Sequence, residues 1–127
     1  MNKHLLIVDD DFISRLILKR TMESIGFEIY EAENGQQALE IIETNEKIVL
    51  VSLDLNMPVM DGYTFLNEIS KTDLKNRLKI FITSCYSKKD FLKTAFENEI
   101  DTTAVKDYFE KPFHMERFSD TLLSYTT

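Results

Sequence analysis

Short apolar runs and segments of helical spacing alternate along the whole chain. The runs are rich in β-branched residues and predict strands. They cover residues 5–8, 29–32, 48–53, 79–83 and 108–109. Between them, apolar residues recur at helical spacing, as in Leu18, Met22 and Ile25. The chain therefore predicts five successive βα units, and this alternation favours the α/β class, a doubly wound parallel sheet with helices on both faces.

The composition fits one domain over residues 1–127, and we expect no separate output domain. With 43% hydrophobic residues the chain can bury its own core, and no stretch resembles a linker. No apolar run approaches the roughly 20 residues of a membrane span, and the N-terminal residues lack the layout of a signal peptide, so a cytoplasmic location without membrane contact is the default expectation. A net charge of -7 disfavours nucleic-acid binding. The single cysteine, Cys85, excludes an internal disulfide.

Five polar or charged residues stand at or just after the predicted strands. Asp9 and Asp10 follow the first strand, Asp54 follows the third, Thr83 ends the fourth and Lys111 comes shortly after the fifth. The carboxyl ends of parallel strands line one edge of a sheet, which is where open α/β sheets bind ligands. We therefore expect three acids, a hydroxyl and an amine to converge there.

Asp11, which directly follows Asp9 and Asp10, has a simpler structural explanation than a role in the site. Asp10 or Asp11 could cap the first helix, because a carboxylate there accepts free backbone N–H groups. We assign the cap to Asp11. Asp9 and Asp10 remain site candidates, because a further carboxylate, that of Asp54, stands at the end of a nearly all-apolar strand. That strand is expected in the middle of the sheet.

Three gathered carboxylates require a cation. At about 4 Å and an effective dielectric of 20, each pair repels by about 4 kcal/mol. Mg²⁺ suits a site of a few carboxylates, a carbonyl and waters that leaves room for phosphate oxygens. Lys111 supplies a point charge for a phosphate, and the Thr83 hydroxyl can hydrogen-bond to it. This set suits phosphoryl transfer, in which a carboxylate can act as the nucleophile and form an aspartyl phosphate.

Four motifs resemble, in order and spacing, the receiver domain of two-component response regulators. They are LLIVDDD near the N-terminus, DLNMPVMDG at 54–62, ITS at 82–84 and DYFEKPF at 107–113. The resemblance covers almost the whole chain. It implies a single doubly wound (βα)5 flavodoxin-like domain with a five-stranded parallel sheet in the order 2-1-3-4-5.

The resemblance also implies a role for each matching residue. Asp54 would be the phosphoacceptor, and Lys111 would pair with the phosphoryl oxygens. Asp10 would ligate Mg²⁺ directly, Asp9 would act mainly through a metal-bound water, and the backbone carbonyl of Asn56 would supply a further ligand. The partner that supplies the phosphoryl group would be a sensor histidine kinase or a histidine phosphotransfer protein.

A switch is implied as well. Thr83 would move toward the new phosphoryl group while Tyr108 turns inward, and a downstream protein that the sequence does not identify would sense the change. The Lys111–Pro112 peptide bond would be cis. The chain would then be a stand-alone, chemotaxis-regulator-like signalling domain and not a turnover enzyme, with self-phosphorylation and slow autodephosphorylation as its only chemistry. Asn56 and Cys85 would flank the path of the hydrolytic water.

The sequence departs from the family before the fifth strand. Receivers commonly carry a glycine there, whereas residues 99–106 contain none, and Thr83 and Lys111 are farther apart than usual. We expect an extended loop that changes the surface through which receivers engage partners.

Three other classes compete with this interpretation. A haloacid-dehalogenase-like phosphatase also uses an aspartate and Mg²⁺, but its motif needs a second Asp where Asn56 stands. A flavodoxin-type protein shares the topology but needs a hydroxyl- and glycine-rich phosphate loop after the first strand, where this chain has acidic residues instead. A degenerate receiver that acts only as a protein-binding module is the remaining alternative.

Overall fold

The structure, a computed structural model, describes residues 2–126 and contains one parallel sheet. The strands are β1 (His4–Val8), β2 (Glu28–Ala32), β3 (Leu50–Leu53), β4 (Lys79–Ser84) and β5 (Val105–Glu110). The helices are α1 (Phe12–Ser24), α2 (Gly35–Thr44), α3 (Gly62–Ser70), α4 (Leu74–Arg77), α5 (Lys88–Glu97) and α6 (Met115–Ser124). The strand order β2-β1-β3-β4-β5 confirms the predicted fold class and topology. Among the described residues, no helix has the length and apolar character needed to cross a bilayer.

Each face of the sheet carries its own apolar cluster, as expected of a sheet covered by helices on both sides. Leu6 and Val51 face one side, where residues of α2, α3 and α5 cover them. Leu5 and Phe81 face the other side, under α1 and α6. Successive strand residues alternate between the two clusters, because side chains of a strand point alternately to opposite faces. The carboxyl ends of the strands therefore stay free to form a site.

The third strand begins two residues later than predicted. Ile48 is fully buried, as its apolar surroundings in the sequence suggested, but its backbone is not paired with a strand. Its N–H donates to the Asn45 carbonyl at 3.2 Å, and its carbonyl accepts from Arg77 Nη2 at 3.2 Å. Apolar character predicted the burial correctly, but a neighbouring loop and helix take the hydrogen bonds.

The elements between β3 and β5 also differ from the prediction. The extra helix α4 is a single turn, too short to show an apolar period in the sequence. β5 is six residues long instead of the two predicted. Its apolar run is short because β5 is an edge strand whose exposed positions carry charged residues such as Lys106 and Glu110. Lys106 has no partner across from it, since Val105 pairs with Ile80 and Asp107 with Phe81, so β5 contains a bulge.

The loop before β5 replaces the missing glycine with Glu99. α5 ends in a pair of hydrogen bonds, from the Ile100 N–H to the Ala95 carbonyl at 2.9 Å and from the Glu99 N–H to the Phe96 carbonyl at 3.2 Å. This Schellman arrangement requires a left-handed residue, which is usually glycine. Glu99 adopts that conformation with φ 54.

Candidate functional site

The strand order brings the three predicted acids together. β1 and β3 are neighbours, with Val8 paired to Leu53, so the residues that follow them emerge side by side. The Asp54 N–H donates to the Val8 carbonyl at 2.9 Å and extends this pairing by one residue. One carboxylate oxygen from each of Asp9, Asp10 and Asp54 lies within 4.8 Å of the others. The predicted convergence of the acids is therefore present.

Burial and charge perturb Asp54. Only 8% of its surface is exposed. Burial raises the pKa of Asp54 to about 6, helped by the charge of Asp9 and opposed by Lys111. Any cation that enters the cluster would stabilise the ionised form of this carboxyl group. The donor set of three carboxylates in a partly buried pocket fits a hard divalent cation.

Lys111 supplies the positive charge that the cluster contains. Its Nζ donates to Asp9 Oδ2 at 3.2 Å and lies 3.8 Å from Asp54 Oδ2. Burial lowers the pKa of Lys111, but the charges of Asp54 and Asp9 outweigh burial and hold its pKa above the ordinary value. The Lys111 N–H donates to the Ser84 carbonyl at 2.7 Å, and the Lys111–Pro112 bond is cis as predicted. The backbone thus fixes the lysine beside the acids.

The neighbouring Asp11 has the structural role that was predicted for it. Its side chain accepts from the Ser14 N–H at 3.0 Å and caps α1. Its own N–H donates to Asp9 Oδ1 at 2.9 Å, which ties the cap to the cluster. Asp9, at 1% exposure, is therefore held from both sides of its carboxylate, by Lys111 and by the loop that begins α1.

A cavity of about 350 Å³ opens beside these groups. It is lined by Asp10, Asp54, Asn56, Ser84, Cys85, Tyr86 and Lys111. Asn56 and Cys85 lie on this wall, and Cys85 is exposed. The cavity is large enough to admit a phosphoryl group beside the Asp54 carboxylate.

The predicted switch residues, Thr83 and Tyr108, do not line the cavity but adjoin residues that do. Thr83 is buried at the end of β4 and is not part of the lining. Tyr108 is 7% exposed, and its hydroxyl donates to the Tyr86 carbonyl at 2.6 Å. Burial raises the pKa of Tyr108, so it stays a neutral donor. The tyrosine is already turned inward and is tied to the loop that carries the wall.

Comparison with known proteins agrees with this geometry. The sequence model of the response regulator receiver domain matches residues 5–123. The chain belongs to the response regulator receiver family. It is 31% identical to sporulation initiation phosphotransferase F of Bacillus subtilis, covering 98% of this chain and 94% of that protein. It is 36% identical to the chemotaxis protein CheY of the same species, covering 92% of each.

Solved receiver structures share the fold. A chain of the CheX-CheY complex of Borrelia burgdorferi with BeF3 and Mg superposes with a TM-score of 0.81 at 26% identity, covering 98% of this chain and 89% of that one. This receiver is accordingly a phosphoacceptor signalling domain of the two-component type and not a conventional enzyme. The alternative of a module that only binds proteins is not favoured.

Sequence reasoning missed three residues that this receiver places around the site. Ser84 and Tyr86 line the cavity, and Tyr86 also accepts the Tyr108 hydroxyl through its backbone, which leaves no signal in the sequence. Arg15 is buried on α1 together with Leu18 and Met22. A charged residue at helical spacing with buried apolar residues could have identified Arg15, since unpaired arginine is seldom buried.

Proposed function

We propose that Asp54 is the phosphoacceptor of this receiver and that a phosphohistidine is the donor. The observation that supports this best is the gathering of Asp9, Asp10 and Asp54 with Lys111 3.8 Å from Asp54 Oδ2. An oxygen of the Asp54 carboxylate attacks phosphorus, the new O–P bond forms as the N–P bond breaks, and the histidine nitrogen leaves with the electron pair. Positioning and charge neutralisation carry most of such a transfer.

The acidic cluster is also the proposed site of Mg²⁺. Asp10, Asp54 and the backbone carbonyl of Asn56 would hold the ion directly, and Asp9 would act through a bound water. When bound, the ion neutralises carboxylate and phosphoryl oxygens. Lys111 holds Asp9 by a hydrogen bond and offers its remaining protons to the phosphoryl oxygens. The raised pKa of Asp54 supports a cation here, because a proton or a metal offsets both the burial of the carboxylate and its repulsion by Asp9.

Signal output is proposed to pass through Thr83 and Tyr108. An acyl phosphate on Asp54 adds negative charge, which attracts nearby donors such as the Thr83 hydroxyl. Movement of Thr83 at the end of β4 displaces the adjoining residues 84–86. Tyr108 follows because its hydroxyl is bonded to the Tyr86 carbonyl. A downstream protein that reads this loop and the exposed side of α5 would then sense phosphorylation.

The phosphodonor would dock on the apolar surface of α1. Phe12, Ile13 and Ile17 are each more than half exposed and directly follow the acidic cluster in the sequence. Ile17 also lines a groove of about 320 Å³ with Phe113, which comes just after Lys111. Exposed apolar patches of this kind are typical of protein-binding surfaces. A histidine kinase or a histidine phosphotransfer protein is the proposed partner, and since such donors draw on cytoplasmic ATP, the cytoplasm is the proposed location.

Phosphoryl uptake from a small acyl phosphate, followed by intact mass spectrometry, tests the proposed acceptor. We expect one phosphoryl group per chain with Mg²⁺ and none after chelation. Asp54→Asn should abolish uptake. The matched control Asp61→Asn should retain it, because Asp61 caps α3 outside the cluster and asparagine also caps helices. Undiminished uptake by Asp54→Asn or without a divalent cation would overturn the assignment.

A separate experiment tests the docking surface, again by following phosphoryl uptake with intact mass spectrometry. Ile17→Asp places a charge in the apolar groove, whose lining also includes Asp9 and Lys111, so uptake from the small donor serves as the internal control for the site. We expect normal uptake from the small donor but slower transfer from a phosphorylated histidine protein. Equal transfer rates from that protein to the variant and the wild type would remove α1 as the docking surface and leave the acceptor assignment intact.

A further inference from the structure

A buried arginine connects α1 to the acidic doublet. Arg15 is only 7% exposed, and it lies on the face of α1 that also buries Leu18 and Met22. Lysine or arginine at such a position costs desolvation energy unless every charge and donor finds a partner. The contacts that compensate Arg15 therefore indicate what the residue does.

The shortest of these contacts reaches the backbone of the proposed metal site. Arg15 Nη1 donates to the carbonyl oxygen of Asp9 at 2.7 Å. That oxygen belongs to the peptide unit that joins Asp9 to Asp10. Because a peptide unit is planar, fixing its oxygen fixes the rotation of the chain between the two acids. The direction in which each carboxylate leaves the backbone depends on that rotation.

Two glutamates hold the other side of the guanidinium. Arg15 Nε lies 3.4 Å from Glu31 Oε1, and Arg15 Nη2 lies 3.8 Å from Glu33 Oε1. Lys19 makes a second ion pair with Glu31 at 3.4 Å. The planar fork of arginine presents five N–H donors in a fixed geometry and can serve these carboxylates and the carbonyl at the same time, whereas lysine carries one compact ammonium group on a flexible stem. The end of β2 thus anchors the guanidinium that holds the peptide after β1.

The two acids differ in how much other support they have. Asp9 is held by Lys111 and by the Asp11 N–H. Asp10 is exposed, and within residues 2–126 its side chain makes no hydrogen bond or ion pair to the protein. The orientation of Asp10 in the metal-free protein therefore depends on its backbone, and Arg15 holds that backbone.

We infer that Arg15 is a positioning residue for the metal site. It fixes the peptide between Asp9 and Asp10 so that both carboxylates face Asp54, and it raises the affinity for Mg²⁺ without contacting the ion. The inference rests on the proposed function, because it assumes that the doublet binds the cation. Groups that orient metal ligands from behind typically change metal affinity by about 10 to 100-fold when they are removed.

The test compares Mg²⁺ dissociation constants from NMR titrations of the ¹⁵N-labelled protein. We expect Arg15→Met to weaken binding by about 10-fold or more. The variant should fold, because Glu31 and Glu33 are partly exposed and can turn to water. Arg15→Lys retains the charge and one donor, and it should recover part of the affinity. Arg15→Gln replaces the methionine variant if the latter fails to fold, with the same expected loss.

Arg77 offers a matched control at the other end of the sheet. It also donates to backbone carbonyls, those of Ile42, Asn45 and Ile48, but it lies far from the acids in the fold, before β4. Arg77→Met should lower the stability toward urea and leave the dissociation constant for Mg²⁺ unchanged. A loss of affinity equal to that of Arg15→Met would show that general destabilisation is the cause and would overturn the inference.

The outcomes separate this inference from the proposed function. If the wild type binds no Mg²⁺ and takes up no phosphoryl group, the proposed function fails and the positioning role falls with it. If the wild type does both, and Arg15→Met binds Mg²⁺ within about two-fold of it, only the positioning role is overturned. A clear loss in Arg15→Met with partial recovery in Arg15→Lys supports both.

Discussion

Lys111 Nζ donates a hydrogen bond to Asp9 Oδ2 across 3.2 Å, which joins the end of the chain's last strand to the end of its first. The same ammonium lies 3.8 Å from Asp54 Oδ2, so one cation faces two largely buried carboxylates. Removing it leaves both acids without their counter-charge. The cost then depends on whether another cation is available.

We therefore expect Lys111→Met to be much less stable without Mg²⁺ than with it. Leaving buried charged groups unpaired costs about 1–3 kcal/mol or more, and a bound divalent cation should offset most of that loss. Urea unfolding at pH 7 with chelator and with Mg²⁺ measures the difference. Lys88→Met, which removes an exposed lysine from α5, is the control and should change little. Equal stability of Lys111→Met and the wild type in chelator would contradict this expectation.

The raised pKa of Asp54 predicts how stability depends on pH in the metal-free protein. Burial moves this pKa from 3.8 to about 6, so the folded state binds more protons than the unfolded state between those values. Stability should therefore be highest below about pH 4 as far as Asp54 is concerned, and it should fall by up to about 3 kcal/mol as the pH rises to about 6. Above that pH the contribution is constant.

Asp54→Asn isolates this effect, because asparagine has a similar shape and does not titrate. The difference in free energy of unfolding between variant and wild type should grow with pH from about 4 to 6, with the variant the more stable at pH 7 in chelator. A difference that stays constant over this pH range would mean that the Asp54 carboxyl titrates normally.

Much of the site could be predicted because it lies at strand ends, and the rest could not because backbone geometry determines it. Apolar runs predicted the strands, and parallel topology then brought Asp9 and Asp54 to one edge. The hydrogen bond from Tyr108 ends on a backbone carbonyl, and any residue type at position 86 would supply one. The late start of β3 likewise reflects the competition of Arg77 for the Ile48 carbonyl, since apolar character predicts burial but not pairing.

Gly62 gives a steric prediction at the loop that follows Asp54. A Cβ at this position would lie 2.6 Å from the Asp54 carbonyl oxygen and 2.8 Å from the Leu55 Cα, which are backbone atoms that no rotamer change can move. We expect Gly62→Ala to cost about 1–3 kcal/mol and to reduce phosphoryl uptake by displacing Asp54. Urea unfolding and intact mass measure the two effects.

Gly35 provides the comparison for this substitution. A Cβ there would meet the Met60 side chain at 2.8 and 2.9 Å, and a flexible methionine can move away, although the Met60 carbonyl at 3.0 Å is also close. Gly35→Ala should therefore cost less stability than Gly62→Ala and should preserve uptake. If the two variants lost stability and uptake equally, backbone contact at Gly62 would not be the cause.

Glu99 and Gly26 occupy equivalent positions at the ends of α5 and α1, which predicts opposite effects of exchanging glycine at the two sites. Each helix ends in a Schellman arrangement with the central residue at positive φ, 97 for Gly26 and 54 for Glu99. The left-handed conformation costs a residue with a Cβ about 1 kcal/mol, and glycine loses part of that gain through its greater freedom in the unfolded chain.

Glu99→Gly should therefore stabilise the protein by about 0.5 kcal/mol, whereas Gly26→Ala should destabilise it. Urea midpoints at constant slope measure both, and phosphoryl uptake should stay unchanged in Glu99→Gly, because the substitution lies outside the acidic cavity. Lower stability of Glu99→Gly would show that the glutamate makes a favourable interaction that outweighs its backbone strain.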